Sequence, residues 1–301
     1  MTELNHHAKS TRVLVKAWRN AIDVILSDDD KGYHVHGDER ISREVVLPRV
    51  TSILNIIEKQ GLRTWAMNMA LQYVRDNLAE VMAGPPGLAD APMKSDYTLG
   101  LRIEELLEEA AKAHLVKRDT AADYGTEAHA LLQQLVIDPN TAVPDKFAPV
   151  VNAWDEWLNE SDISIIATEM SVYYHDSVQN EPPISFAGTA DLIAVDSDNN
   201  PVICDYKTGA KVYPEYALQM GAYSLGLSYC GIGNFFSATQ LKNTRAFVIR
   251  LPKEENSSTE IKEVLDMGAQ REAFLTACKL RQWQSSRNKW VPKRRKFQSL
   301  G

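Results

Sequence analysis

Hydrophobic positions along the chain recur in two rhythms, and the change between them divides it. Up to about residue 158 apolar residues mostly return every three to four positions, the period of helices buried on one face. Val13 to Leu26 shows that spacing, and Asp28-Asp29-Asp30 with Gly32 reads as the turn that ends it. Thr51 or Ser52, just before Ile53, Leu54, Ile56 and Ile57, predicts a helix N-cap. Gly84-Pro85-Pro86-Gly87 breaks the pattern, a helix is expected from Leu99 to His114, and another from Ala121 to Ile137 with Leu131, Leu132, Leu135 and Val136 inward. Asp138-Pro139 stops that helix, and Phe147 to Leu158, with Trp154 and Trp157 three apart, predicts one more.

The rhythm then shortens. Ile163 to Tyr174, Ile184 to Val195 and Pro201 to Lys207 are β-branched and aromatic runs, with turn residues at Asp196 to Asn200. Ala217 to Tyr229 predicts a helix, Thr244 to Leu251 a strand, and Ile261 to Gln284 a long terminal helix. Helices, then a meander of strands, then helices around it predict an α/β protein: a central mixed sheet flanked by helices, with an N-terminal helical subdomain.

Composition narrows the function classes. The 301 residues carry a net charge of −7, so there is no general attraction for a polyanion, and a nucleic-acid partner needs a local basic patch. No stretch approaches the roughly 20 apolar residues of a membrane helix, so no membrane partner is expected. Cys204, Cys230 and Cys278 are odd in number and far apart, which fits a reducing compartment. Met1 to Asn20 lacks the apolar core of a secretion signal, so cytoplasm is the expectation. Lys9, Arg12, Lys16 and Arg19 at helical spacing leave an organelle matrix open.

The chemistry lies in the strands. If Ile184 to Lys207 is a hairpin centred on Asp198, Asp191 stands directly opposite Asp205, and like charges so placed repel. Lys207 shares the face of Asp205 while Tyr206 turns away. Ile203, Cys204, Ala190 and Leu192 surround both carboxylates with apolar chain, so a compensating cation is needed: Lys207 alone, or a divalent ion such as Mg²⁺ or Mn²⁺, for which carboxylate oxygens are suited. Gly188 and Gly209 are expected to let a bulky substrate approach the backbone.

Gly188-Thr189-Ala190-Asp191, a short turn, then Asp205-Tyr206-Lys207 resembles the core of the PD-(D/E)XK nuclease superfamily. Gly125-Thr126-Glu127-Ala128-His129 upstream, Glu169 on the preceding strand, and Gln219 with Tyr223 downstream extend the resemblance to its RecB-like branch of Cas4-like, phage and mitochondrial genome maintenance exonucleases. The resemblance covers about Pro48 to Tyr229. It implies a DNA exonuclease acting on single strands or ends in recombination, replication or repair, with one or two Mg²⁺ or Mn²⁺ ions held by His129, Asp191, Asp205 and the Tyr206 carbonyl. Asp191, Asp205, Lys207 and Glu169 are then the catalytic residues, Lys207 orienting or deprotonating the attacking water and offsetting phosphorane charge. An imidazole ligand predicts that Mn²⁺ serves at least as well as Mg²⁺. Some relatives carry an iron–sulfur cluster on four cysteines; with three, none is expected here.

The resemblance also has Gln219 and Tyr223 touching DNA or steadying Lys207. Thr51 and Ser52 are candidate phosphate contacts at a helix start. Lys112, Lys117, Arg118 and Lys211 are candidate groove residues. The tail from Arg287 to Lys296, which has six basic residues in ten, adds Trp290, Arg294 and Arg295. The division expected is 1–118, a helical subdomain that forms an arch for threading DNA; 119–286, the nuclease core; and 287–301, a basic tail. A recombinase or a single-strand-binding protein is the expected protein partner. The competing expectations are a structure-specific endonuclease and a non-catalytic DNA-binding subunit of a recombination complex.

Overall fold

A computed structural model of the chain describes residues 23–26, 32–57, 61–83, 95–176, 182–230, 235–254 and 257–286. Two compact units emerge: the described residues up to Ile57 together with those from Ala128 onward, and those between Gly61 and Glu127.

The first unit is built on five strands. β4 (Ser164–Asp176), β5 (Ile184–Val195), β6 (Pro201–Lys207), β7 (Arg245–Arg250) and β8 (Glu260–Glu263) lie in chain order. Only the β6–β7 pair is parallel, so the sheet is mixed, as expected. A second, antiparallel sheet holds β1 (Asp23–Leu26), β2 (Tyr33–His36) and β3 (Val46–Leu47). The helices of this unit are α1 (Val50–Leu54), α4 (Ala148–Glu160), α5 (Glu215–Tyr229), α6 (Ala238–Lys242) and α7 (Met267–Ser286). The second unit holds α2 (Leu62–Ala83) and most of α3 (Ser95–Ile137), whose last turns, from Ala128, belong to the first. No described helix is long and apolar enough to cross a membrane.

The β5–β6 hairpin has the expected register, with Leu192 opposite Cys204 and Val195 opposite Pro201. Asp196 closes its turn, its Oδ1 accepting the amides of Asp198 and Asn200, while Asn199 takes the left-handed backbone that asparagine tolerates. The parallel β6–β7 connection requires a crossover, which α5 supplies. α5 packs tightly on α7 because Gly221 carries no Cβ; one would stand 2.7 Å from the Gln270 carbonyl carbon. Phe274 of α7 meets Phe186 of β5 edge-on within the same core.

Four expectations fail. Residues 23–26 are a strand and not the end of a helix, because β2 offers partners at Tyr33 to His36 that the local pattern does not reveal. The described residues up to Ile57 accordingly fall in the same unit as the five-stranded sheet. Leu99–His114 and Ala121–Ile137 are one continuous 43-residue helix, since Leu115 to Thr120 contains neither glycine nor proline to break it. Ile261 opens no helix: Glu260–Glu263 is the edge strand β8, and α7 begins at Met267 after Asp266, whose Oδ1 caps the Ala269 amide. Finally, the N-cap of α1 is Arg49, so Thr51 and Ser52 lie inside a five-residue helix without the capping role assigned to them. The expectations at Val13 to Ile22, Asp28 to Lys31 and Gly84 to Gly87 lie outside the described residues.

A charge network, buried at Asp38 and open to solvent at Arg40, ties the loop after β2 to β4. Arg40 donates Nη2 to Asp38 Oδ2 at 2.6 Å and Nε to Oδ1 at 2.9 Å, and the Tyr173 hydroxyl donates to Oδ2 at 2.9 Å. The guanidinium hydrogen bonds, with Tyr173 helping against the cost of burial, hold Asp38 down to about 2. A depressed carboxylate stabilises the fold above its unfolded value and loses that contribution as pH falls through the folded one. Asp38→Asn is therefore expected to cost about 1–2 kcal/mol at pH 7, Arg40 being half exposed, with the difference from wild type shrinking as pH drops from 4 toward 2. Urea denaturation across that range reads it.

Candidate active site

The β5–β6 ladder ends at Leu192 and Cys204, one residue short of the two aspartates. Beyond it the strands part, and the freed Tyr206 amide donates to Asp191 Oδ2 at 2.6 Å. A hydrogen bond that would have crossed between backbones is thus spent on a carboxylate, fixing it at the mouth of the fork. Tyr206 itself turns to the other side, where its hydroxyl accepts from Trp154 Nε1 at 2.9 Å and its ring meets Trp157 edge-on. The Trp154/Trp157 stripe of α4 therefore supports this strand end from behind.

Asp205 is 1% exposed and held from two sides. Gln219 Nε2 of α5 donates to its Oδ1 at 2.9 Å and also to the Tyr223 hydroxyl at 2.8 Å, while the Lys207 ammonium contacts Oδ2. Two residues along β6 put Lys207 on the face of Asp205, as its alternation predicts. Gln219 and Tyr223 are 4% and 3% exposed, so they stand behind the carboxylate and are not presented to a nucleic acid. Gly188 likewise serves packing: a Cβ there would lie 2.6 Å from Tyr223 Cε1, so the chain's own tyrosine fills the space assigned to a substrate. Among the described residues nothing lies within 4 Å of a Cβ placed on Gly209.

His129, in the last turns of α3, faces Asp191, Nδ1 to Oδ1 at 3.3 Å. Glu169 of β4 completes the group. One ligand atom each from His129, Glu169 and Asp191 lies within 4.8 Å of the others, and two donors on opposite sides of a Mg²⁺-sized ion stand about 4.2 Å apart. Glu169 has a φ of +47° in the middle of a strand, a left-handed conformation that a non-glycine residue holds at a cost. The ladder between β4 and β5 skips it, running from Thr168–Leu192 to Met170–Ala190. Outward alternation does not account for such a residue; the twisted backbone aims it at Asp191.

The electrostatics describe a site short of positive charge. Burial, then the Asp191 carboxylate, pushes Glu169 up to about 7. Burial also pushes Asp205 up to about 6, outweighing the Lys207 ammonium. Asp191 is held low: burial opposes its ionisation, but His129 and then Lys207 prevail. His129 rises to about 9 because the Asp191 charge overcomes the burial that would depress it. Burial likewise works against the Lys207 ammonium, and Asp205 and Asp191 more than restore it, which suits charge neutralisation better than proton removal. Oxygen donors with one imidazole fit a divalent cation of the Mg²⁺ or Mn²⁺ kind, which would relieve the strain among three carboxylates.

A raised carboxylate costs folding energy once ionised. The penalty at Glu169 begins above its unfolded value of 4.5 and is complete above about 7. In EDTA, Glu169→Gln is expected to be more stable than wild type by about 1–3 kcal/mol at pH 8, and equal to it near pH 4; paired thermal melts at the two pH values check this.

The nucleic-acid candidates are scattered. Lys112 lies 4.0 and 3.7 Å from Glu108 and Glu109, and Arg118 lies 2.8 Å from Asp119. α3 as a whole has eight acidic and four basic residues, so the expected basic cluster of Lys112, Lys117 and Arg118 sits in a net negative helix. Lys211 is exposed, its ammonium 5.4 Å from the Tyr213 ring centroid. Thr51 is exposed and Ser52 half-buried. Trp290, Arg294 and Arg295 lie outside the described residues.

Three contributors escape the sequence reading. The Tyr33 hydroxyl meets Thr189 Oγ1 at 3.0 Å, two residues from Asp191, and no local signal in β2 announces it. Trp154 was legible as core but not as the partner of Tyr206. The left-handed backbone of Glu169 has no signature in the residue itself.

A family model of the PD-(D/E)XK nuclease superfamily matches residues 78–296 of the chain. Among solved structures, SSO0001 is similar at 13% identity and a TM-score of 0.29, over 57% of this chain and 80% of that one. An alkaline exonuclease from Laribacter hongkongensis is similar at 11% identity and a TM-score of 0.27, over 55% and 84%. No curated protein matches the chain.

Proposed function

This chain belongs to the PD-(D/E)XK nuclease superfamily, and on that premise we propose that it is a divalent-metal-dependent DNA exonuclease acting on single strands or DNA ends. The observation that carries the reading is the fork in β5 and β6, where Asp191 and Asp205 face each other with His129, Glu169 and Lys207 around them. His129, Glu169 and Asp191 would hold the cation, with Asp205 and the Tyr206 carbonyl beside them. Bound there, Mg²⁺ or Mn²⁺ supplies Lewis-acid polarisation of the phosphodiester and acidifies water.

The protein's own groups do the rest. Tyr206 N–H and His129 fix the two oxygens of Asp191, and Gln219 fixes Asp205, so the donors are pre-oriented and cost no reorganisation during the reaction. Lys207, held cationic between two aspartates, offsets the negative charge that gathers on the phosphoryl oxygens as water attacks in line. Burial of the carboxylates, with Asp191 8% and Asp205 1% exposed, keeps the local dielectric low, which strengthens each of these interactions.

The helical unit serves as an arch that guides a strand, and the basic tail adds phosphate contacts. Recombination, replication or repair in the cytoplasm, beside a recombinase or single-strand-binding protein, is the proposed setting. A structure-specific endonuclease would use the same cluster. A circular single strand separates the two: an exonuclease degrades the linear form and spares the circle, whereas cutting both at equal rates assigns the endonuclease.

A further inference from the structure

Apart from the metal-binding fork, the first unit has an open cleft of about 360 Å³ where β3, the start of β5 and the end of α7 meet. Pro48, Ile53 and Pro182 give it an apolar floor, and Ser185, Arg281 and Ser285 contribute polar groups. Arg281 lines the cleft, and its Nη1 is buried with no hydrogen-bond partner among the described residues. The neighbouring Gln282 is differently placed, its amide spent on the Pro183 carbonyl at 2.9 Å. A guanidinium nitrogen taken out of water without an acceptor is costly, so the arrangement calls for an anion.

We propose that this cleft is a nucleotide subsite of the same enzyme, Arg281 pairing with a backbone phosphate while Pro48, Ile53 and Pro182 pack against the sugar or base. The inference rests on the nuclease reading and extends it to where the strand lies away from the cut. Three observations converge on this occupant. The volume is at the small end of ligand sites, right for one nucleotide. The cleft shares a strand with the catalytic centre: Ser185 and Asp191 are six residues apart on β5, about 20 Å of extended chain. That distance spans about six nucleotides of a stacked strand, fewer of an extended one. Charge is the third. The protein is net negative, and Lys112 and Arg118 of α3 lie beside acids, whereas Arg281 Nη1 has no acceptor among the described residues and is left to meet an incoming polyanion.

The test uses the full chain with Arg281→Gln, which removes the charge, and Ser285→Trp, which fills the cleft from the exposed side of α7. Kinetics are measured on a 15-nucleotide single strand and on a dinucleotide too short to reach. Anisotropy of the labelled 15-mer in EDTA gives affinity without cleavage. Both variants are expected to raise KM for the 15-mer about tenfold at unchanged kcat, with dinucleotide cleavage unaffected. For Arg281→Gln the slope of log K against log[salt] should also flatten by about 0.7, the share of one phosphate on a single strand. Unchanged affinity and salt slope in both variants overturn the subsite, as does an equal loss on both substrates, which marks a structural role. Hydrolysis of bis(p-nitrophenyl) phosphate by wild type keeps the two readings apart. If that activity is missing while Arg281→Gln still weakens the 15-mer in EDTA, the hydrolytic reading falls and the subsite stands.

Discussion

Replacing Asp205 with asparagine, or Lys207 with alanine, is expected to lower DNA hydrolysis by at least about 10³-fold while the protein remains folded. The size follows from where the groups stand. Asp205 is fully enclosed, with Gln219 on one oxygen and Lys207 on the other, so asparagine keeps the shape and one hydrogen bond but removes the charge that positions the lysine. Loss of one pre-oriented electrostatic group in a water-poor site costs about 10²–10³ in rate, and here two are lost together because the ammonium is no longer anchored. Lys207→Ala removes the charge opposite the phosphoryl group and leaves Asp205 buried without its cation, so it should also be the less stable of the two variants. Steady-state rates on a labelled single strand, with circular dichroism melts beside them, read both quantities. Rates near wild type in either variant would remove β6 from the catalytic centre.

The second large effect is on metal binding. Wild-type protein should bind Mn²⁺, and Asp191→Asn should bind it at least about 100-fold more weakly, because Asp191 lies among His129, Glu169 and the Tyr206 amide, and every other donor is arranged around it. Binding that favours the folded state adds about 2.7 kcal/mol at 100 times Kd, so saturating Mn²⁺ should raise the melting temperature of wild type by several degrees and leave that of the variant unmoved. Isothermal titration gives the affinities, and the same samples give the melts. Equal affinity in both proteins would place the ion elsewhere.

The hairpin that carries Asp191 and Asp205 was legible because its signals are local. Two apolar runs with Asp196 to Asn200 between them permit one register, and that register sets Asp191 against Asp205 and puts Lys207 beside Asp205 before any coordinate is known. What the local pattern cannot carry is pairing over long separations. β1 to β3 were hidden because two of the strands have four residues and the third two, and their stability comes from one another and from the core. The helices expected at Leu99–His114 and Ala121–Ile137 are joined through Leu115 to Thr120, a stretch with no helix breaker that a continuous helix carries without interruption. At the site, Glu169 was legible as a candidate, but its left-handed backbone has no signature in the residue, although the unshifted pairs on either side set it opposite Asp191. Gln219 and Tyr223 were singled out by the resemblance and set on one helix face by their spacing, neither of which distinguishes a side chain that meets the substrate from one buried behind a carboxylate.

The account stands most directly on one measurement: digestion of an end-labelled linear single-stranded oligonucleotide by the purified full-length protein, in Mn²⁺ and in EDTA. Cleavage that proceeds from an end in Mn²⁺ and stops when EDTA is added is the predicted result. Cleavage that continues undiminished in EDTA, or none with Mn²⁺ or Mg²⁺ on any strand tested, would contradict the assignment of the β5–β6 fork as a metal-dependent phosphodiester-hydrolysing centre.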